Sequence, residues 1–221
     1  MAETGEAVPG WYGKLPGAGD FISRRLPEEF VRPWDAWLQD VVVTTRTSLG
    51  PGWIGRYLTM PIWRFVLVSG LVAQTGWAGV LMPSVDRVGR RFPLTIAVAL
   101  PSDAAMAHAV FESGDWYGDL EDAALGMLDP SRGAEELERA LSNCPFSIPP
   151  DVELDPVKQS VRRLPSPDGF GGVAKIESLH AWIEHAGWRG IWWTRGRVDG
   201  DPLMMTCGAL PTAEEFERLL T

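Results

Sequence analysis

The residues best able to do chemistry in this sequence are polar groups set among apolar ones: Lys14, Asp20, Asp35, Arg64, Ser84, Asp86, Arg87 and Arg90. Four of them fall in "LMPSVDRVGRRFPLTIAVAL" (81–100), where Arg87, Arg90 and Arg91 crowd into five positions. One chemistry they could support is catalytic: Asp20 or Asp86 takes a proton while Lys14, Arg87 and Arg90 grip an anion. A second is structural. Arg64 interrupts an apolar run, and Asp35 lies between Trp34 and Trp37 near a helix start. Ionised groups in such company are costly unless paired, so these charges are expected to find one another and pin a hairpin to the first helix. The helix start also favours Asp35, because its field attracts negative charge. A third is recognition, since arginines beside tryptophans such as Trp34 are favoured interface chemistry.

Other sites have less to work with. A nucleophile needs a base within hydrogen-bond reach, most often His, and the chain has three: His108, His180 and His185. No G-x-S-x-G elbow accompanies them, and His180 and His185 stand about 140° apart on a helix, sharing no face. Neither H-x-x-x-H nor C-x-x-C occurs, and Cys144 and Cys207 are far apart. "GKLPGAGD" (13–20) does not have the spacing of a phosphate-cradling loop, because Lys14 precedes its glycines. No cofactor or metal is expected.

The elements that would position these groups can be read from pattern. A strand at Trp11-Tyr12 feeds a turn at Pro16–Gly19, and Pro33 opens a long helix carrying Trp34, Leu38, Val41 and Val42, ended by "GPG" at 50–52. "PIWRFVLVSG" (61–70), "WAGVLMPS" (77–84) and "PLTIAVAL" (93–100) read as buried strands, too closely spaced for crossover helices and therefore antiparallel. Ser102 caps a helix, and acidic helical segments follow near 118–128 and 133–142. After an irregular Pro/Gly-rich loop at 145–172 come a helix near 176–185, strands at 190–195 and 202–208, and a closing helix at 212–220. The expectation is a mixed α/β (α+β-like) single domain over 10–221, a largely antiparallel or mixed sheet with helices around it, preceded by a flexible tail at 1–9.

Composition narrows the function. The 221 residues carry a net charge of −9, with no long basic stripe, which disfavours nucleic acid and anionic membrane surfaces as partners. No apolar run is long enough to span a bilayer, and "MAETGEAVPG" lacks the layout of a signal peptide. Two separated cysteines suit a reducing cytoplasm. Eleven tryptophans against three tyrosines imply heavy aromatic packing.

"GWYGKLPGAGDF", "RRLPEEFVRPWDAWL", "WAGVLMPSVDRVGRRFPLT" and the closing "IWWTRG" and "GALPTAEEF" resemble the signature blocks of the TagF (ImpM) family, accessory proteins encoded with bacterial type VI secretion systems. The likeness is densest over 10–100, loose from about 110 to 175, and returns near the end. It implies a non-enzymatic cytoplasmic regulator that represses assembly post-translationally through a scaffold protein bearing a forkhead-associated domain. It carries no catalytic residue to any position here. The alternative is a small hydrolase or anion-binding enzyme built on residues 84–91.

Overall fold

The apolar runs at 61–70, 77–84 and 93–100 form the middle of one sheet in the computed structural model, which describes residues 5–148, 162–163, 173–174, 187–195 and 203–220. The chain begins with β1 (Gly5–Ala7), β2 (Gly10–Gly13), β3 (Ile22–Arg24) and the long α1 (Glu28–Leu49), then a turn at Gly50–Gly52 and α2 (Trp53–Leu58). Next come β4 (Trp63–Leu67), β5 (Gly76–Met82) and β6 (Leu94–Leu100), followed by α3 (Asp103–Phe111), α4 (Gly114–Gly126) and α5 (Ala134–Ser142). The remaining described elements are β7 (Phe146–Ile148), β8 (Arg162–Arg163), β9 (Val173–Ala174), β10 (Gly190–Thr194), β11 (Leu203–Cys207) and α6 (Ala213–Leu219).

The main sheet runs β11-β10-β4-β5-β6-β2-β3, and every neighbouring pair in it is antiparallel. One face, with Trp63, Phe65, Leu67, Trp77, Leu81 and Trp192, packs under α1, α2 and α6. The other, with Val66, Ala78, Val80, Met82, Leu94, Ile96 and Val98, packs under α3, α4 and α5. The fold is therefore the expected α+β arrangement, with helices on both faces. Two covered faces explain why β4, β5 and β6 read as unbroken apolar runs rather than alternating ones.

Tryptophan fills this core. Trp11, Trp34, Trp53, Trp63 and Trp192 are among its largest buried side chains, and Trp34 stacks on Trp192 at 6.0 Å. A buried indole N–H needs an acceptor, and most find one: Trp34 donates to Thr95 Oγ1 (2.8 Å), Trp53 to Thr45 Oγ1 (3.0 Å) and Trp63 to the Leu219 carbonyl (2.9 Å). Trp34 is thus a packing residue rather than a surface for a partner.

Pro33 is not the first residue of α1. The helix begins at Glu28 and carries Pro33 in its interior, on the exposed side. Pro27 already provides an extended cap, and burying Phe30 one turn ahead of Trp34 draws the helix start back. The hydrogen bond that Pro33 cannot make belongs to the carbonyl of solvent-exposed Glu29, where water can replace it. Glu28 and Glu29 suit the positive end of the helix.

The expected tail at 1–9 contains a paired strand. β1 lies antiparallel to β7 because Ala7, Phe146 and Ile148 join the same apolar cluster. Within the expected irregular loop at 145–172, β7 is a strand and β8 pairs with β9 across the loop's end. The rest of that loop and the expected helix near 176–185, with His180 and His185, lie outside the described residues.

Candidate functional site

The hairpin joining β5 to β6 runs in register from Gly76–Leu100 to Met82–Leu94, and its tip at 83–93 closes a second time. Val85 bridges Arg91, the Asp86 N–H donates to the Arg90 carbonyl (2.9 Å), and the Gly89 N–H donates to the Asp86 carbonyl (2.9 Å). Gly89 takes φ of 82°, which the turn requires and a side chain would oppose. Ser84 anchors the base of the tip. Its amide donates to the Tyr57 hydroxyl (3.1 Å), which donates back to the Ser84 carbonyl (2.9 Å), and its own hydroxyl donates to the Lys14 carbonyl (2.6 Å).

Asp86 organises the rest. Its carboxylate is fully buried, and each oxygen accepts two hydrogen bonds. Oδ1 takes the amides of Val88 (3.0 Å) and Arg90 (2.8 Å); Oδ2 takes Lys14 Nζ (2.7 Å) and Arg90 Nε (2.5 Å). Burial alone would raise this carboxyl's pKa. The Lys14 ammonium, the Arg90 amide and guanidinium and the Val88 amide more than offset it, holding the group well below the ordinary carboxylate range.

Lys14 arrives from the end of β2, where Gly13 at φ of 140° lets the chain press against β6; a Cβ there would sit 2.2 Å from the Pro93 carbonyl oxygen. The following loop wraps the tip. The Ala18 carbonyl accepts the Arg87 amide (3.1 Å), the Gly19 carbonyl accepts Arg90 Nη2, and Lys14 Nζ lies 4.5 Å from the centre of the Phe21 ring. Asp20 does not join this set: it is exposed, and its carboxylate accepts its neighbour's amide at Phe21 (2.8 Å). Arg87 is exposed and forms no ion pair with any described residue.

The expected single network is in fact three. Asp35 accepts the Tyr12 hydroxyl (2.5 Å) and Gln39 Nε2 (2.6 Å), and the Tyr12 ring in turn packs on Phe21 and on Phe92 of the hairpin. Burial, then the Asp35 hydrogen bond and charge, push the Tyr12 phenol above its ordinary pKa. Arg64 shares its cross-strand row with Val80 and Ile96, on the sheet face opposite α1. It pairs there with Glu121 of α4 (2.5 Å), which Arg195 also approaches (3.5 Å), and it lies 5.3 Å from the centre of the Tyr117 ring. The two-period of a strand decides this, since Arg64 and Phe65 must point to opposite faces. Glu121 has a sequence signal of its own: a carboxylate on the same helical stripe as Tyr117, Leu120 and Ala124.

As chemistry, the tip is closed. A carboxylate already accepting from four donors, two of them cationic, is a poor proton acceptor near neutral pH. The Ser84 hydroxyl donates to a backbone carbonyl, not to a base. His108, on α3, sits 3.2 Å from Glu112 and edge-on to Phe146. Among the described residues, no group of three or more His, Cys, Asp or Glu could hold a metal. Gly50-Pro51-Gly52-Trp53-Ile54-Gly55 has a nucleotide-loop spacing, yet it follows α1 and runs into the first turn of α2 instead of following a strand. Cys144 and Cys207 are free thiols, and burial first, aided by the charge of Glu215, pushes the Cys207 thiol up to about 11.

A family model for the TagF N-terminal domain, described as type VI secretion system-associated, matches residues 10–144, more than half of the chain. Among solved structures, the crystal structure of PA0076 from Pseudomonas aeruginosa PAO1 is 37% identical, covers 96% of this chain and 94% of its own, and superposes with a TM-score of 0.77. No curated protein matches.

Proposed function

The chain belongs to the TagF family of type VI secretion system-associated proteins, and from that premise we propose that it is a non-catalytic regulator, one that lowers secretion by binding a component of the apparatus. The partner in this reading is the scaffold protein bearing a forkhead-associated domain, met in the cytoplasm. Repression is post-translational: the complex keeps the scaffold from supporting assembly.

The observation that supports this reading is the saturation of Asp86. The carboxylate that an enzyme would use as its base is instead the knot that fixes the hairpin tip to the 14–21 loop. A surface held in one shape has less entropy to lose on association, which favours recognition. Among the described residues no helix is long and apolar enough to cross a membrane.

Expressing the protein in excess in a bacterium with an active system, then blotting for secreted tube protein, tests the reading. Secretion falls and the scaffold co-purifies with the chain. Unchanged secretion with no scaffold retained contradicts it. The competing reading, an anion-handling enzyme at residues 84–91, predicts stabilisation in a thermal-shift screen of nucleotides and phosphorylated peptides, by about 2.7 kcal/mol at one hundred times the dissociation constant. The regulator reading predicts unshifted melting across that panel.

A further inference from the structure

The charges of the hairpin tip divide into an inner set and an outer one. Inside, Asp86 takes up Lys14 and the Nε of Arg90. Outside stands Arg87, with no ion pair to any described residue, and next to it Val88, which is 69% exposed. The Arg90 side chain is 57% exposed despite its bond to Asp86, and Phe21, against which Lys14 packs, is 41% exposed. The result is two arginines and two apolar side chains on a tip braced by the Arg87 amide on the Ala18 carbonyl and by the Arg90 guanidinium on the Gly19 carbonyl. The chain as a whole carries a charge of −9, so this patch is opposite in sign to the net charge.

We infer that this outer surface, formed by Arg87, Val88, Arg90 and Phe21, docks an acidic segment of a protein partner that offers an apolar side chain between its carboxylates. Arg87 presents a planar fork, unoccupied among the described residues, that matches a carboxylate on a backbone already fixed by its amide's bond to Ala18, while Arg90, held at Nε and Nη2 by Asp86 and Gly19, adds positive charge beside it. Val88 and Phe21 remove apolar surface from water when covered. The sign of the patch adds specificity: an acidic segment is drawn to the tip and repelled by the rest of the chain. Asp86 acts here as a positioning residue that shapes the patch from below and makes no contact with the partner. The inference rests on the binding role proposed above, but it can fail separately from it.

The test uses the full chain and a fluorescein-labelled short peptide of alternating Glu and Leu, with a Lys/Leu peptide as control, read by anisotropy. The wild type binds the Glu/Leu peptide, more weakly as salt rises, and any binding of the Lys/Leu peptide to the acidic chain is not weakened by Arg87→Glu. Arg87→Glu and Val88→Asp each weaken binding roughly tenfold with an unchanged melting temperature. Arg139→Glu, on the exposed side of α5, leaves binding as it was. Equal binding of the acidic peptide by wild type and Arg87→Glu, or no detectable binding of it at low salt, overturns the inference. A second arm measures co-purification of the forkhead-associated scaffold. If the scaffold binds wild type and Arg87→Glu alike, the surface is wrong and the binding role stands. If the acidic peptide binds through Arg87 while the scaffold never binds, the surface stands and the named partner is wrong.

Discussion

Asp86 joins Lys14, Val88 and Arg90 through one carboxylate, so its removal undoes several contacts at once. Asp86→Ala leaves the Lys14 ammonium buried without a counter-charge and two amides without their acceptor. The expected loss is about 3 kcal/mol in urea unfolding. An unchanged midpoint would show that the tip does not need this knot. The same residue predicts a pH dependence. Its folded pKa lies below the unfolded value, so its stabilisation is fully present above that value, near pH 4, and is lost as pH falls further. Glu138 adds to the same trend: burial works against its ionisation, but hydrogen bonds from Arg25 and Trp11 lower its pKa on balance. Asp86→Asn should therefore flatten, without abolishing, the fall of stability with acid below about pH 4. An unaltered acid slope would remove Asp86 from the account.

At the scale of elements, the sheet sorts the charges. Arg64 and Glu121 meet between β4 and α4, and the pair is costly to break but not costly to replace. Glu121→Leu strands a buried guanidinium and should cost about 3 kcal/mol, whereas Arg64→Met with Glu121→Leu should recover most of it. Equal losses from the single and double variants would deny the coupling. The β5–β6 hairpin has a tolerance of its own. A Cβ at Gly79 would lie 2.0 Å from the Ile96 carbonyl oxygen, so Gly79→Ala should force the strands apart and sharply lower the melting temperature. The three central strands were legible in sequence because both of their faces are covered and each is an unbroken apolar run. The start of α1 was not, because Pro33 imitates a first helical residue while Pro27 and Phe30 do the work of starting the helix. The destination of Arg64 was not either. A strand's pleat states that Arg64 faces away from Phe65, but not which helix waits on that side.

For the whole molecule, a chain of −9 net charge buries Trp11, Trp34, Trp53, Trp63, Trp77 and Trp192 and turns a small arginine patch outward. Most of the candidate polar residues could be named from sequence, and Lys14, Ser84, Asp86 and Arg90 do come together. What pattern could not supply was their division of labour, since that depends on which donors reach which carboxylate oxygen across a separation of 72 residues. The proposed regulator acts by occupying a partner, and occupancy has a stoichiometry. The direct measurement is secreted tube protein as a function of the intracellular ratio of this protein to the forkhead-associated scaffold, varied by graded expression. Repression that grows with the ratio and completes as the chain becomes equimolar with the scaffold is the predicted result. Full repression at a small fraction of the scaffold's abundance would mean turnover, and would contradict the account.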